Sequence, residues 1–325
     1  MKTTTALSAL VAVGGMVQAH PFSGAAGKAT DLQSPSTCSK ADRSNAVRST
    51  STSTSTSSSK VKAAAASAAP AAEWEPPSNL STALDEVWQH TMETYTEPLS
   101  FLNWGYDHLM DTGSNIQYCV RWDSSATVTA AQRAGIAAAL QRSYGKWMSQ
   151  ALVGFDGFPY DGVNVTVVGW AATDATLLEG LEAGEGVTVY TDTRDADGVP
   201  ECDPACGRAI HYGDGDYSGC AGGSAARYDV SLWLSASLDG NLAGYGGDWG
   251  QELPTDYMLD NLETDNIHIL LHEMGHTLAL DDFYDWTPDG VTSFIMKAGS
   301  AFEVTDFDAW MARDWWRHIK SRYGL

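Results

Sequence analysis

Residues 264–282 read T-D-N-I-H-I-L-L-H-E-M-G-H-T-L-A-L-D-D. Ile267, Leu270, Leu271, Met274 and Leu278 recur at intervals of three and four, the period at which one face of an α-helix is buried. The spacing predicts a helix capped near Thr264 or Asp265 and stopped at Asp281 and Asp282. His272 and His276 are four apart, so on such a helix their imidazoles share a face one turn apart and can meet one ion. Glu273 follows the first histidine, from where its carboxylate can reach water on that ion without ligating it. H-E-x-x-H in so apolar a helix points to a catalytic zinc, against the bland reading of a chance histidine pair. Catalytic zinc sites use three protein ligands and a water, so a third ligand is expected downstream.

The stretch H-E-M-G-H-T-L-A-L-D-D resembles the metzincin zinc proteases, whose extended motif is H-E-x-x-H-x-x-G-x-x-H, with Asp as the last ligand in the snapalysin-like branch. The resemblance implies one catalytic Zn2+ held by His272, His276 and Asp282, with Glu273 as general base. The family's turn glycine falls at Ala279. Alanine tolerates a positive φ less well than glycine, and an altered turn would bring Asp281 or Asp285 to the metal instead. Residues 293–299, S-F-I-M-K-A-G, resemble the family's Met-turn and imply Met296 beneath the metal; a methionine in an apolar stretch is otherwise core filler.

The same resemblance, sharp over 264–300, implies a zincin domain with a mixed twisted sheet, a long helix, an active-site helix and a closing C-terminal helix. It implies a mechanism as well. Zinc lowers the pKa of its water towards about 7, and Glu273 moves the proton from that water to the leaving amine of a peptide bond. In metzincins an edge strand just before the metal helix pairs with extended substrate, and residues 228–238 are expected to be that strand.

Outward from the helix, the pattern gives an α+β chain. Residues 80–95 have helical spacing. Residues 116–122 alternate Ile116, Tyr118, Val120 and Trp122 against Gln117, Cys119 and Arg121, as a strand does. A long helix capped by Thr127 or Thr129 follows, running to Val153. Residues 163–170, 187–190 and 228–238 read as strands, and the Gly-rich stretches 213–224 and 240–250 as loops. A last helix capped by Thr305 or Asp306 carries Phe307, Trp310, Met311, Trp315 and Ile319 on one face.

The 325 residues divide unevenly. Residues 1–19 have one early lysine, a short apolar run and small residues at Val17-Gln18-Ala19, which reads as a secretory signal peptide. Residues 20–72 are Ser, Thr, Ala and Pro with few large apolar side chains, which predicts a disordered linker or pro-segment. Residues 73–325 form one expected zinc metallopeptidase domain. Of 19 Lys and Arg, seven lie before residue 73, against only Asp31 and Asp42 of 41 acidic groups, so the domain holds 12 basic and 39 acidic residues. That charge repels nucleic acid and anionic membranes; the metzincin resemblance implies a protein or peptide substrate as the partner. Oligomeric state is not readable.

A secreted location makes disulfides the default for Cys119, Cys202, Cys206 and Cys220, in any of three pairings, with Cys38 left over. In some metzincins a pro-segment thiolate occupies the open zinc position, and the resemblance implies that role for Cys38, weighed against a mispaired or partner-linked thiol in a disordered segment. A zinc site on C-D-P-A-C is the alternative for the other four. Asn79 and Asn164 head N-glycosylation sequons.

Weaker signals have bland readings beside them. Residues 193–198 and the pair Asp214 and Asp216 suggest a non-EF-hand Ca2+ site. His268 is a spare ligand or an ordinary helix residue, Tyr284 an oxyanion donor or a packing residue, and Trp310, Trp315 and Trp316 a carbohydrate platform or core. The competing functions are a zinc hydrolase acting on a non-peptide bond and a non-catalytic secreted zinc protein.

Overall fold

The computed structural model describes residues 73–181, 186–236, 238, 243–284 and 286–325. The signal-peptide and linker readings, Cys38 and the Asp285 alternative lie outside the described residues.

Helices α1 (Ser81–Thr94) and α2 (Gly105–Thr112) precede strand β1, Asn115–Asp123. Ile116, Tyr118, Val120 and Trp122 of β1 are fully buried, as their alternation requires. Helix α3, Ala130–Trp147, begins at Thr129, whose side chain accepts from Gln132 N–H while Gln132 returns a bond to Thr129 N–H. It widens into a π turn over Met148–Leu152. Strands β2 (Asn164–Ala172) and β3 (Thr188–Tyr190), the short helix α4 (Arg208–His211) and strand β4 (Val230–Ser235) follow. Strands β5 (Tyr245–Gly247) and β6 (Gly250–Pro254) form a hairpin leading into α5, Thr255–Asp260. Helices α6 (His268–Thr277) and α7 (Asp306–Ile319) complete the order.

The six strands form one mixed sheet in the order β3-β2-β1-β4-β6-β5. All neighbours are parallel except β5, which pairs antiparallel with β6 and stands at an edge. One apolar core joins residues from α1 through α7. The α+β expectation therefore stands at the level of a mixed sheet with helices. Among the described residues no helix is long and apolar enough to cross a membrane.

Three expectations need correction. The strand within 228–238 is interior, flanked by β1 and β6, so its backbone is already paired; among the described residues the edge strand near the α6 helix is β5. The stretch 240–250, read as loop, contains β5 and the first residue of β6, because pairing to β4 and packing on α6 impose strand geometry on Gly-rich sequence. Helix α6 starts at His268 and not at Thr264 or Asp265. Arg142 Nη2 of α3 donates to the carbonyls of Leu262 and Thr264, and Lys146 Nζ reaches Asp265 Oδ2 and Asn266 Oδ1. Those bonds hold 262–266 in an irregular turn ahead of the helix.

The disulfides are Cys119–Cys202 and Cys206–Cys220, which selects one of the three pairings and commits both cysteines of C-D-P-A-C to different partners. The first ties the segment after β3 to strand β1, and the second closes a loop within that segment. Gly169 is needed beside the first, since a Cβ on it would stand 2.8 Å from Cys202 Sγ. Asn79 and Asn164 are both exposed.

Candidate metal centre

Helix α6 is nearly all buried, and it gathers His272, Glu273 and His276 into one cluster. Each of the three offers one ligand atom within 4.8 Å of the others. His272 Nδ1 donates to the Ile295 carbonyl at 2.7 Å, and His276 Nδ1 donates to the Leu280 carbonyl at 2.8 Å. Each bond occupies Nδ1 and so turns Nε2 toward the cluster, where it donates to a carboxylate while the ring is protonated and would offer its lone pair to a metal once the ring is neutral.

Both Nε2 atoms face Asp282 Oδ1, at 3.0 Å from His272 and 3.5 Å from His276. Two donors each about 2.0–2.2 Å from a tetrahedral zinc lie about 3.3–3.6 Å apart; the His276–Asp282 separation matches that spacing, while His272 and Asp282 stand closer, at hydrogen-bond distance, and would part by a few tenths of an ångström around an ion. Glu273 Oε2 is farther out, 3.8 Å from His276 Nε2. Of the two carboxylates, Asp282 fits a ligand and Glu273 a neighbour of the site.

The electrostatics agree with that division. Burial opposes ionisation of Asp282, but the charges and hydrogen bonds of His276 and His272 hold its carboxyl well below the usual range. Burial disfavours a charged imidazole too, yet Asp282 and Glu273 more than reverse it and raise both histidines. The cluster thus favours positive charge at its centre, which a divalent cation supplies. Glu273 is pushed up chiefly by burial, with His272 and His276 pulling the other way.

The turn after α6 brings Asp282 into place. Ala279 N–H bonds the His276 carbonyl at 2.9 Å and Leu280 N–H bonds the Gly275 carbonyl at 3.1 Å, the paired bonds of a Schellman cap. Ala279 sits at its left-handed position with φ 63°. The turn that a glycine would ease is therefore adopted by alanine, and Asp281 points elsewhere, to the Tyr95 hydroxyl at 2.7 Å.

Beneath the histidines lies Met296, fully buried. A Cβ on Gly275 would collide with its Sδ, so the glycine of H-E-M-G-H is what lets Met296 reach the helix. Asp308, which the sequence reading did not single out, holds this turn. Its carboxylate accepts from Ile295 N–H at 2.9 Å and Met296 N–H at 3.2 Å while also capping α7 through Thr305. The T-x-x-D pattern at 305–308 was the available signal, though it announces only the cap.

Glu273 packs on the edge strand. A Cβ on Gly244 would lie 2.7 Å from Glu273 Oε1, and one on Gly246 would collide with the Glu273 backbone. Tyr284 is 44 % exposed, hydrogen-bonds Asp282 and feels the Asp282 and Glu273 charges; burial and those charges keep its hydroxyl protonated.

The other sequence signals lie away from this cluster. His268 bonds the Tyr257 hydroxyl and packs edge-on against Phe302. Asp195 is paired with Arg121 and accepts from Asp197 and Val199 N–H, while Asp214 and Asp216 close local turns. Among the described residues no group of three potential metal-binding side chains gathers at either calcium candidate. Trp315 and Trp316 are buried, and Trp310 packs edge-on against Trp74 and Phe155. No protein-family model and no curated protein sequence matches this chain.

Proposed function

We propose that the chain is a secreted zinc-dependent endopeptidase of metzincin type, in the branch with Asp as third ligand. The observation that carries this reading is the convergence of His272 Nε2, His276 Nε2 and Asp282 Oδ1 at ligand spacing, with the Glu273 carboxylate beside them. Zinc held there supplies a Lewis acid that brings the pKa of a coordinated water towards about 7.

The remaining chemistry belongs to the chain. Glu273, buried and with its proton affinity raised, takes a proton from the attacking water and returns it to the leaving nitrogen. The Tyr284 hydroxyl donates to the carbonyl oxygen as that oxygen gains negative charge. Among the described residues β5 is the edge strand of the sheet, and it packs against Glu273, so an extended peptide running along that edge would lie with its backbone across the site. That edge favours a peptide over a small non-peptide substrate. Glu273 likewise favours catalysis over a structural metal, which would fill four positions with protein ligands. The two disulfides fit an oxidising compartment.

The test is purified protein with casein and a quenched peptide library, with and without chelator, beside Glu273→Gln. Expected are chelator-sensitive cleavage and, in the variant, a loss of about 10²–10⁴-fold in turnover with zinc content retained. Cleavage indifferent to chelator, or a variant that turns over like the parent, overturns the proposal.

A further inference from the structure

Residues 278–284, and the described residues from 286 to 292 beyond them, form neither helix nor strand, yet they carry Asp282 and the Leu280 carbonyl that orients His276. Something outside the segment must fix its shape. Helix α1, nearly two hundred residues earlier, touches it at three places. Tyr95, at the C-terminal cap of α1, donates its hydroxyl to Asp281 Oδ2 at 2.7 Å. The His90 ring lies 4.2 Å from the Trp286 ring, and Glu86 Oε2 accepts from Asp289 N–H at 2.8 Å.

Only the first of these reaches the metal cluster. Asp281 Oδ1 accepts from the backbone N–H of Asp282 at 2.9 Å, so one carboxylate ties the Tyr95 hydroxyl to the amide of the next residue. A small cavity lined by Thr91, Ala279, Leu280 and Asp281 lies between the helix and the turn. Ala279, in its left-handed conformation, gives the turn a reason to relax if that tie is cut.

We infer that Tyr95 and Asp281 are positioning residues for the metal centre: together they hold Asp282 at ligand spacing, and they couple zinc binding to the docking of α1. This rests on the zinc reading above. Because such coupling is reciprocal, whatever affinity the tie adds to zinc, zinc returns as tighter docking of α1.

The experiment is competition of the full chain with a chromophoric chelator for zinc, on the parent, Tyr95→Phe, Asp281→Ala and Asp281→Asn, with hydrogen exchange of α1 amides before and after zinc. Tyr95→Phe and Asp281→Ala are expected to weaken zinc binding about 10–100-fold, the usual cost of losing a group that orients a ligand. Asp281→Asn, which keeps an acceptor for Asp282 N–H, is expected to recover most of that loss. Zinc is expected to slow α1 exchange in the parent and much less in Tyr95→Phe. Should Tyr95→Phe not fold, the two Asp281 variants carry the measurement. Parental affinity in the Tyr95 and Asp281→Ala variants overturns this inference alone. A parent that takes up no zinc overturns the metal reading and this inference with it.

Discussion

Asp308 accepts a hydrogen bond from the backbone N–H of Ile295 at 2.9 Å, and the carbonyl of the same Ile295 takes the Nδ1 proton of His272. A carboxylate that caps the last helix thus reaches a proposed metal ligand through one residue. Asp308 is fully buried and serves Ile295, Met296 and Thr305 together.

Asp308→Ala leaves those buried donors without an acceptor. At about 1–3 kcal/mol for each unsatisfied group, partly relieved by relaxation, a loss of about 3–5 kcal/mol in unfolding free energy is expected. Urea unfolding of the metal-free chain measures it. A loss under about 1 kcal/mol would show that the Met296 turn stands without this carboxylate.

Ala279 offers the opposite experiment. A left-handed backbone costs an L-residue about 1–2 kcal/mol relative to glycine, offset in part by the greater freedom of glycine in the unfolded chain. Ala279→Gly should therefore raise stability by about 1 kcal/mol and leave zinc affinity unchanged. If the variant is less stable than the parent, the left-handed cap is not the conformation in solution.

How much of this could be read beforehand depends on the range of the interaction. The alternation of β1, the Thr129 cap of α3, the Thr305 cap of α7 and the H-E-x-x-H spacing are local patterns, and each shows its partners within a few residues. Strands β5 and β6 were illegible because Y-G-G and G-Q-E-L-P have no apolar alternation, and β6 is a strand because it pairs with β4, as β5 is because it pairs with β6. The late start of α6 depends on Arg142 and Lys146, about 120 residues upstream. The tie from Tyr95 to Asp281 spans 186 residues.

Gly244 is a case where a missing side chain does the positioning. A Cβ there would stand 2.7 Å from Glu273 Oε1 and 3.0 Å from the Glu252 carbonyl, so Gly244→Ala must displace the Glu273 carboxylate or the edge strand. A displacement of about 1 Å at a reacting group costs on the order of 100-fold in rate, and kcat should fall by about that factor with zinc content and KM little changed. Gly213→Ala, where a Cβ meets nothing within 4 Å, is the control. Equal kcat in the two variants would mean that Glu273 is not the proton carrier, or that it reaches the substrate from another rotamer.

Asp282 decides the charge of the centre. Two neutral imidazoles and a carboxylate leave a divalent zinc with a net charge of +1, against +2 for three imidazoles, so the carboxylate should make the attacking water less acidic. Asp282→Ala is expected to abolish tight zinc binding, a larger loss than Asp281→Ala produces, because Asp282 Oδ1 lies 3.0 and 3.5 Å from the two histidine Nε2 atoms while Asp281 faces Tyr95. Asp282→His tests the charge argument: where zinc is retained, the acidic limb of the kcat/KM profile should move to lower pH, since a more positive centre acidifies the water. Zinc content and pH profiles of the three variants and the parent supply the measurements. An Asp282→Ala protein that keeps both metal and turnover would transfer the third position to another residue, and an acidic limb that moves to higher pH in Asp282→His would show that the limb reports a group other than the water.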